Sequence, residues 1–273
     1  MPVLGPNGIM GGMTRPRRGK WNSLGLWSLY WREVKRFFKI YLQTFIAPVI
    51  TALLFLSIFN FAFEGDGRSL GNIPFTEFLV PGLSMMALLT ASFAGTSFSI
   101  MFEKLVETIV DSLMPPLSPF EHTAGYTLAA TTRGLLVGLA VIIGMSIFVP
   151  VQIYAWPFIL FHAVAAALAL SLLGLITSIW AEKVDHVASI TNFVIMPLSF
   201  LSGSFYSIKY LPETFQIVAQ FNPFFYMIDG FRYGFLGHAD GSLAVGIAVM
   251  LVLNVVLWVF CQFLFASGYK LRS

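Results

Sequence analysis

From residue 41 to residue 266 the chain alternates between long apolar runs and short polar interruptions. A helix needs ~20 residues to cross a hydrocarbon core of about 30 Å. Six runs are long enough: 41–63, 78–101, 123–149, 155–179, 187–206 and 242–266. Pro48 and Pro197 fall inside the first and fifth runs. They are expected to bend them, because proline removes a helical N–H and crowds the carbonyl four residues back. The interruptions differ in character. Residues 64–77 are polar and contain glycine, 102–122 are charged, 150–154 suit a tight turn, and 181–186 form a short charged loop. Ahead of the first run the period changes. Leu24, Trp27, Trp31, Val34 and Phe38 recur at three- and four-residue spacing, while Arg32, Lys35, Arg36 and Lys39 crowd the rest of the surface. This pattern predicts an amphipathic helix over 21–40. It either lies in an anionic headgroup layer or is a plain basic anchor beside the first span. Residues 1–20 are rich in Gly, Pro and Arg, lack the apolar core of a signal peptide and are expected to be disordered.

One apolar stretch, 222–237, is too short to span: as a helix it is roughly 20 Å long. Asn222 is placed to cap its start and Pro223 to occupy its first position, where a missing N–H costs nothing. Gly237 can take the left-handed conformation that ends a helix. Between them lie the aromatic Tyr226, the pair Asp229 and Arg232, which can meet on one face, and Gly230 with Gly234, four apart, which leave room for another backbone. With 212–220 before it, the stretch predicts a re-entrant helical hairpin, buried in protein so that its ends are satisfied.

Composition sharpens this picture. The 273 residues are 57% hydrophobic and 11% charged, against about 45–50% and 25% in soluble domains, so the fold class is an all-α polytopic membrane protein. Cys261 is the single cysteine, which excludes an intrachain disulfide. Placement of the basic residues sets the expected orientation. With the N-terminus inside, Arg15, Arg17, Arg18, Lys20, Arg32, Lys35, Arg36, Lys39, Lys104, Lys183, Lys270 and Arg272 are cytoplasmic, and Arg68, Lys209 and Arg232 are outside. Both termini are therefore expected in the cytoplasm and the hairpin on the outer side.

Arg133 stands inside the third span, where an unpaired charge costs at least ~2.5–3.5 kcal/mol on insertion scales. It is expected to form an intramembrane ion pair with Glu103 or Glu107, either as part of a moving mechanism or as a structural pair. Gly134 and Gly138, and the small face Ala163, Ala167, Leu170 and Gly174, read as packing surfaces between spans. On the cytoplasmic side, 103–114 predicts a helix with Glu103, Glu107 and Asp111 on one face and Leu105, Ile109 and Leu113 elsewhere, stopped by Pro115, Pro116 and Pro119. No phosphate-cradling loop is present, because Gly19-Lys20 lacks both the preceding glycine and the following Ser or Thr. No His-Glu-x-x-His motif or cysteine pair suggests a metal. His122, His162, His186 and His238 are scattered. Neither catalysis nor nucleic-acid binding is expected.

Two stretches carry a resemblance. Asn222-Pro223, the aromatics after it, Asp229-Gly230-Phe231-Arg232-Tyr233 and Leu236-Gly237 resemble the C-terminal signature of ABC-2-type permeases, the membrane subunits of ABC exporters. The run from Asp111 to Glu121 resembles the cytoplasmic loop in which that family's coupling helix meets its ATPase, although the face here is acidic where basic residues are usual. The resemblance covers nearly the whole chain beyond Lys20. It divides the chain into a disordered tail (1–20), an interfacial helix (21–40) and a six-span domain (41–273) with a cytoplasmic coupling helix and an external hairpin. It implies a permease subunit in the plasma membrane, paired with a second copy, and two separate ATPase subunits that bind ATP and magnesium. The implied substrate is amphipathic, lipid-like, drug-like or glycan, as for permeases described as drug, polysaccharide or nodulation-factor exporters. Coupling would rest on Glu103, Lys104, Glu107, Asp111, Leu113 and Pro115. The translocation path would run past Met85, Phe93, Asn192, Phe193, Met196 and Phe200, residues that can equally be membrane-core filling. The rival readings are an ATP-independent secondary transporter or channel, which would show internal repeats or intramembrane carboxylates, and a scaffold that docks a partner without moving substrate.

Overall fold

The structure is a computed structural model that describes residues 22–63, 69–70, 73–109 and 117–268. Helix α1 (Ser23–Lys39) starts at Asn22, whose side chain accepts a hydrogen bond from the Gly25 N–H at 2.9 Å. The first span opens as a π turn, Leu42–Ile46, and continues as α2 (Ala47–Phe63). A ribbon of two two-residue strands, β1 (Ser69–Leu70) and β2 (Ile73–Pro74), leads into α3 (Phe75–Leu105). α4 (Pro119–Ser146) and α5 (Trp156–Trp180) are the third and fourth spans. The fifth is composite: α6 (Val184–Ile190), a π turn (Thr191–Ile195) and α7 (Met196–Leu201). α8 (Glu213–Phe221) and α9 (Pro223–Leu236) make the hairpin, and α10 (Leu243–Ser267) is the sixth span. Among the described residues, six helical segments are thus long and apolar enough to cross a membrane.

The prolines of the first and fifth spans are accommodated in the same way. Each π turn ends two residues before a proline, Ile46 before Pro48 and Ile195 before Pro197. The wider ring of a π turn relieves the clash between the proline ring and the preceding carbonyls.

α3 is the axis of the molecule. It is the most deeply buried span and packs against α4, α5 and α9, whereas the first, fifth and sixth spans present most of their surface outward. Small residues allow the close approach. A Cβ on Gly134 would lie 1.8 Å from Ser92 Oγ, and one on Gly174 would lie 2.4 Å from the Phe93 carbonyl. Thr96 Oγ1 donates to the Ser171 carbonyl at 2.7 Å, tying α3 to α5. The central cluster joins Met85, Leu89 and Phe93 of α3 to Ala166 and Leu170 of α5 and Ile228 and Phe231 of α9.

α1 lies along α4 and buries Leu29, Val34 and Phe37. Leu24, Trp27, Trp31 and Phe38, four of the five stripe residues read from the sequence, stay exposed, with Trp27 stacked on Trp31 at 6.1 Å. The helix therefore has two faces, one packed on protein and one apolar and exposed.

Candidate functional site

The face of the bundle that carries α1 holds a charged junction. Glu33 is 5% exposed and accepts hydrogen bonds from Ser99 Oγ at 2.6 Å and Arg32 at 3.1 Å; Arg36 meets it at 2.7 Å. Glu103, in the last turn of α3, accepts from Arg32 at 2.7 Å and from the Tyr126 hydroxyl at 2.8 Å. Three helices, α1, α3 and α4, are joined by these side chains. A fourth is added by Lys104, whose Nζ donates to the carbonyls of Ile179 at 2.7 Å and Ala181 at 3.1 Å, capping the negative end of α5. At the start of α4, Ser118 and Glu121 form a reciprocal capping box, and the backbone N–H of Asn22 donates to Glu121.

This junction corrects the expectation of one acidic helical face. α3 runs on to Leu105, so Glu103 belongs to the span. The chain then reverses through Val106 and Glu107, the latter in the left-handed region at φ 59°. Glu107 is exposed and cannot share a helix face with Glu103. Asp111, Leu113 and Pro115 lie outside the described residues. Glu33 was invisible to that reading, although it is the lone acid among the four bases of α1.

Arg133 is also placed differently from the expectation. Glu103 is held by Arg32 and Tyr126, and among the described residues Arg133 forms no ion pair. Its Nε is buried without a hydrogen-bond partner. The side chain lines two cavities. A small one of about 30 Å³ leads toward Glu33 and Arg36, and a larger one of about 300 Å³ opens between the first span, α3, α4 and Met196 of α7.

The proposed path residues divide. Met85 and Phe93 are fully buried in the central cluster, so they line no open route; Met86, one residue on and about 100° round the helix, lines the larger cavity instead. Met196 lines it too, while Asn192, Phe193 and Phe200 are exposed on the outer face of the fifth span.

At the opposite face the hairpin turns on one residue. The Asn222 side chain accepts from Phe224 N at 3.1 Å, capping α9 with Pro223 in its first turn, and its amide donates to Leu198 O and Ser202 Oγ of the fifth span. Gly237 ends α9 in the left-handed region at φ 68°. Asp229 and Arg232 do not bond to each other. Asp229 accepts the backbone N–H groups of Asp240 at 2.8 Å and Gly241 at 2.9 Å, so it shapes the turn into α10. Burial pushes its carboxyl above the usual carboxylate range, against the pull of those two donors. Arg232 donates to the Gly203 carbonyl and lies over the Phe78 ring at 3.8 Å. Gly230 faces His162 and Gly234 faces Ile159 and Ala155, so both glycines lie against α5. The Gly234 carbonyl accepts from Tyr154 N at 3.0 Å and Ala155 N at 2.8 Å. Tyr226 is partly buried, edge-on to Phe225 at 5.1 Å. No cluster of His, Cys, Asp or Glu suited to a metal occurs among the described residues.

Comparison with known proteins gives a consistent assignment. The family described as ABC-2 type transporter matches residues 25–236. The inner membrane transport permease YadH of Escherichia coli K12 is 35% identical over 250 residues, covering 92% of this chain and 98% of that protein. Nodulation protein J of Sinorhizobium fredii is 24% identical over 245 residues, covering 86% of this chain and 89% of that protein. Nodulation protein J of Rhizobium leguminosarum bv. viciae is 25% identical over 190 residues, covering 67% and 71%.

Proposed function

The chain belongs to the ABC-2 type transporter family, and from that premise we propose that this transport permease is the membrane subunit of an ATP-driven exporter. It sits in the inner (plasma) membrane with both termini and α1 on the cytoplasmic side and the hairpin outside, the orientation favoured by its basic residues. The chain lacks a phosphate-binding loop, so ATP and magnesium belong to a separate ATPase, two copies of which would serve two copies of this permease. The cargo is amphipathic, lipid-like, drug-like or glycan.

The observation that carries this reading is the junction at the cytoplasmic end of α3. There Glu103 and Lys104 tie α3 to α1, α4 and α5 just before the chain turns at Glu107 toward the segment that resembles a coupling helix. A push on that segment would reach four helices through charged contacts rather than through one flexible loop. The larger cavity next to Arg133 lies between the first, second, third and fifth spans, where motion of those helices would open or close it.

The test is co-purification of the permease with an ATPase subunit, followed by ATP-dependent efflux from liposomes. An ATPase complex whose turnover rises with transported substrate is expected. A permease that transports in liposomes without any ATPase would overturn the reading.

A further inference from the structure

We propose that the cavity beside Arg133 binds an anionic amphiphile, with its phosphate- or carboxylate-type headgroup on the guanidinium and its chain along the first span and α3. This rests on the exporter reading above and names the substrate class for that same path.

The cavity of about 300 Å³ is at the lower end of the range for small-molecule sites. Its lining is polarised. Arg133 and Gln43 lie at the end nearer α1, whereas Phe55 and Leu83 lie toward the hairpin, with Met86 between. From Gln43 to Phe55 the wall runs about 18 Å along the helix, long enough for an extended acyl chain. The hydroxyls along the wall already donate within the protein. Thr44 donates to the Phe37 carbonyl, Thr51 to Ala47 and Thr90 to Met86. The donors left for a ligand are the Arg133 guanidinium and the Gln43 amide, and only the first is charged.

Charge balance also points to an anion. The neighbouring cation Arg36, which shares the smaller cavity, is met by Glu33 at 2.7 Å. The three buried carboxylates of the junction are committed: Glu33 to Arg32, Arg36 and Ser99, Glu103 to Arg32 and Tyr126, and Glu121 to Ser118 and Asn22. Arg133 is the fifteenth residue of the 28-residue α4, near the middle of the span, and its Nε has no partner. Its guanidinium, at the end of the cavity nearer α1, is a strong fork-shaped donor set for a two-oxygen anion.

The experiment uses the purified full chain in a polyoxyethylene ether detergent and reads ligand binding by native mass spectrometry and thermal shift. The probes are dodecyl phosphate, phosphatidic acid, inorganic phosphate and an uncharged dodecyl glycoside. Dodecyl phosphate or phosphatidic acid should bind and raise the melting temperature, and the glycoside should not. Stronger response to phosphatidic acid would assign a bilayer lipid, and stronger response to dodecyl phosphate a single-chain amphiphile. Arg133→Gln should weaken binding at least about tenfold, the loss expected for a hydrogen bond to a charged group, and Arg133→Lys should restore part of it. Ala87→Phe, which fills the cavity and leaves Arg133 in place, should also weaken binding and serves if Arg133→Gln does not fold. Equal binding to wild type, Arg133→Gln and Ala87→Phe, no binding of either amphiphile, or binding of inorganic phosphate as tight as that of the amphiphiles would overturn the proposal. ATPase co-purification is read separately: an ATPase complex without amphiphile binding rejects this inference alone, and binding without a complex rejects the exporter reading.

Discussion

Glu103 and Asp229 are buried acceptors, one at each face of the bundle, and their substitution should separate charge from geometry. Glu103→Ala removes the acceptor of the Tyr126 O–H, which still accepts from Arg32 at 3.2 Å, and one contact of Arg32. A lost bond to a charged group is worth about 1.5–3 kcal/mol. Arg32 is 46% exposed, so water replaces part of its share. A destabilisation near the lower end of that range is therefore expected, read as a lower melting temperature in detergent, with Glu103→Gln recovering about half. An unchanged melting temperature for Glu103→Ala would show that the junction is ornamental. Asp229→Ala leaves two backbone N–H groups in the turn to α10 without their acceptor and should cost more than Asp229→Asn, which keeps one acceptor oxygen. Equal losses for the two would count against that role. These partners were only partly legible in the sequence. The three-residue spacing of Asp229 and Arg232 allowed a pair, but each found a backbone group instead, because the turns at 203 and 240 pass beside α9. Glu33 and Arg133 show the converse. Their chemistry depends on which helix lies opposite, which no local spacing encodes.

Among the elements, the spans were legible because a run of twenty apolar residues has few alternatives, and the hairpin because Asn222, Pro223 and Gly237 mark its second helix at both ends. Helix α3 passed its expected end because Phe102 to Leu105 continue it into the charged junction, where Glu103 and Lys104 are satisfied by neighbouring helices. The π turns had no compositional signal, and only the prolines hinted at an irregularity. The hairpin carries its own prediction. At Gly234 a Cβ would lie 2.4 Å from the Ile159 side chain and 2.9 Å from its backbone nitrogen, so Gly234→Leu must lift α9 away from α5. At Gly246 the nearest atom would be 3.4 Å away, an ordinary contact, so Gly246→Ala should leave stability and transport near wild type. Measured as transport per folded complex, Gly234→Leu should fall well below wild type if α9 is part of an exit gate. A loss confined to folded yield would make the hairpin a stability element only.

At the scale of the whole molecule, a central block of α3, α4, α5 and α9 is flanked by the more exposed first, fifth and sixth spans. The proposed orientation of this block is open to direct test, because Cys261 is sealed inside and a new thiol would report alone. A cysteine at Tyr210, 72% exposed beside the hairpin, should react with an impermeant maleimide on intact cells. One at Glu182, in the turn after α5, should react only after permeabilisation; the reverse pattern would invert the assignment. Residue order along the chain was enough to place these faces opposite each other, but not to set how α1 is turned about its own axis. That angle depends on the π turn at Leu42–Ile46. A π turn amounts to an α-helix carrying one surplus residue, so its length is a setting of phase. Deleting one residue there while replacing Pro48 by alanine would let the span wind as an unbroken α-helix and rotate everything before it by about 100°. Arg32 and Arg36 would swing away from Glu103 and Glu33's neighbour Ser99, and the first span would stay apolar, long enough to insert and wrongly keyed to the rest of the machine.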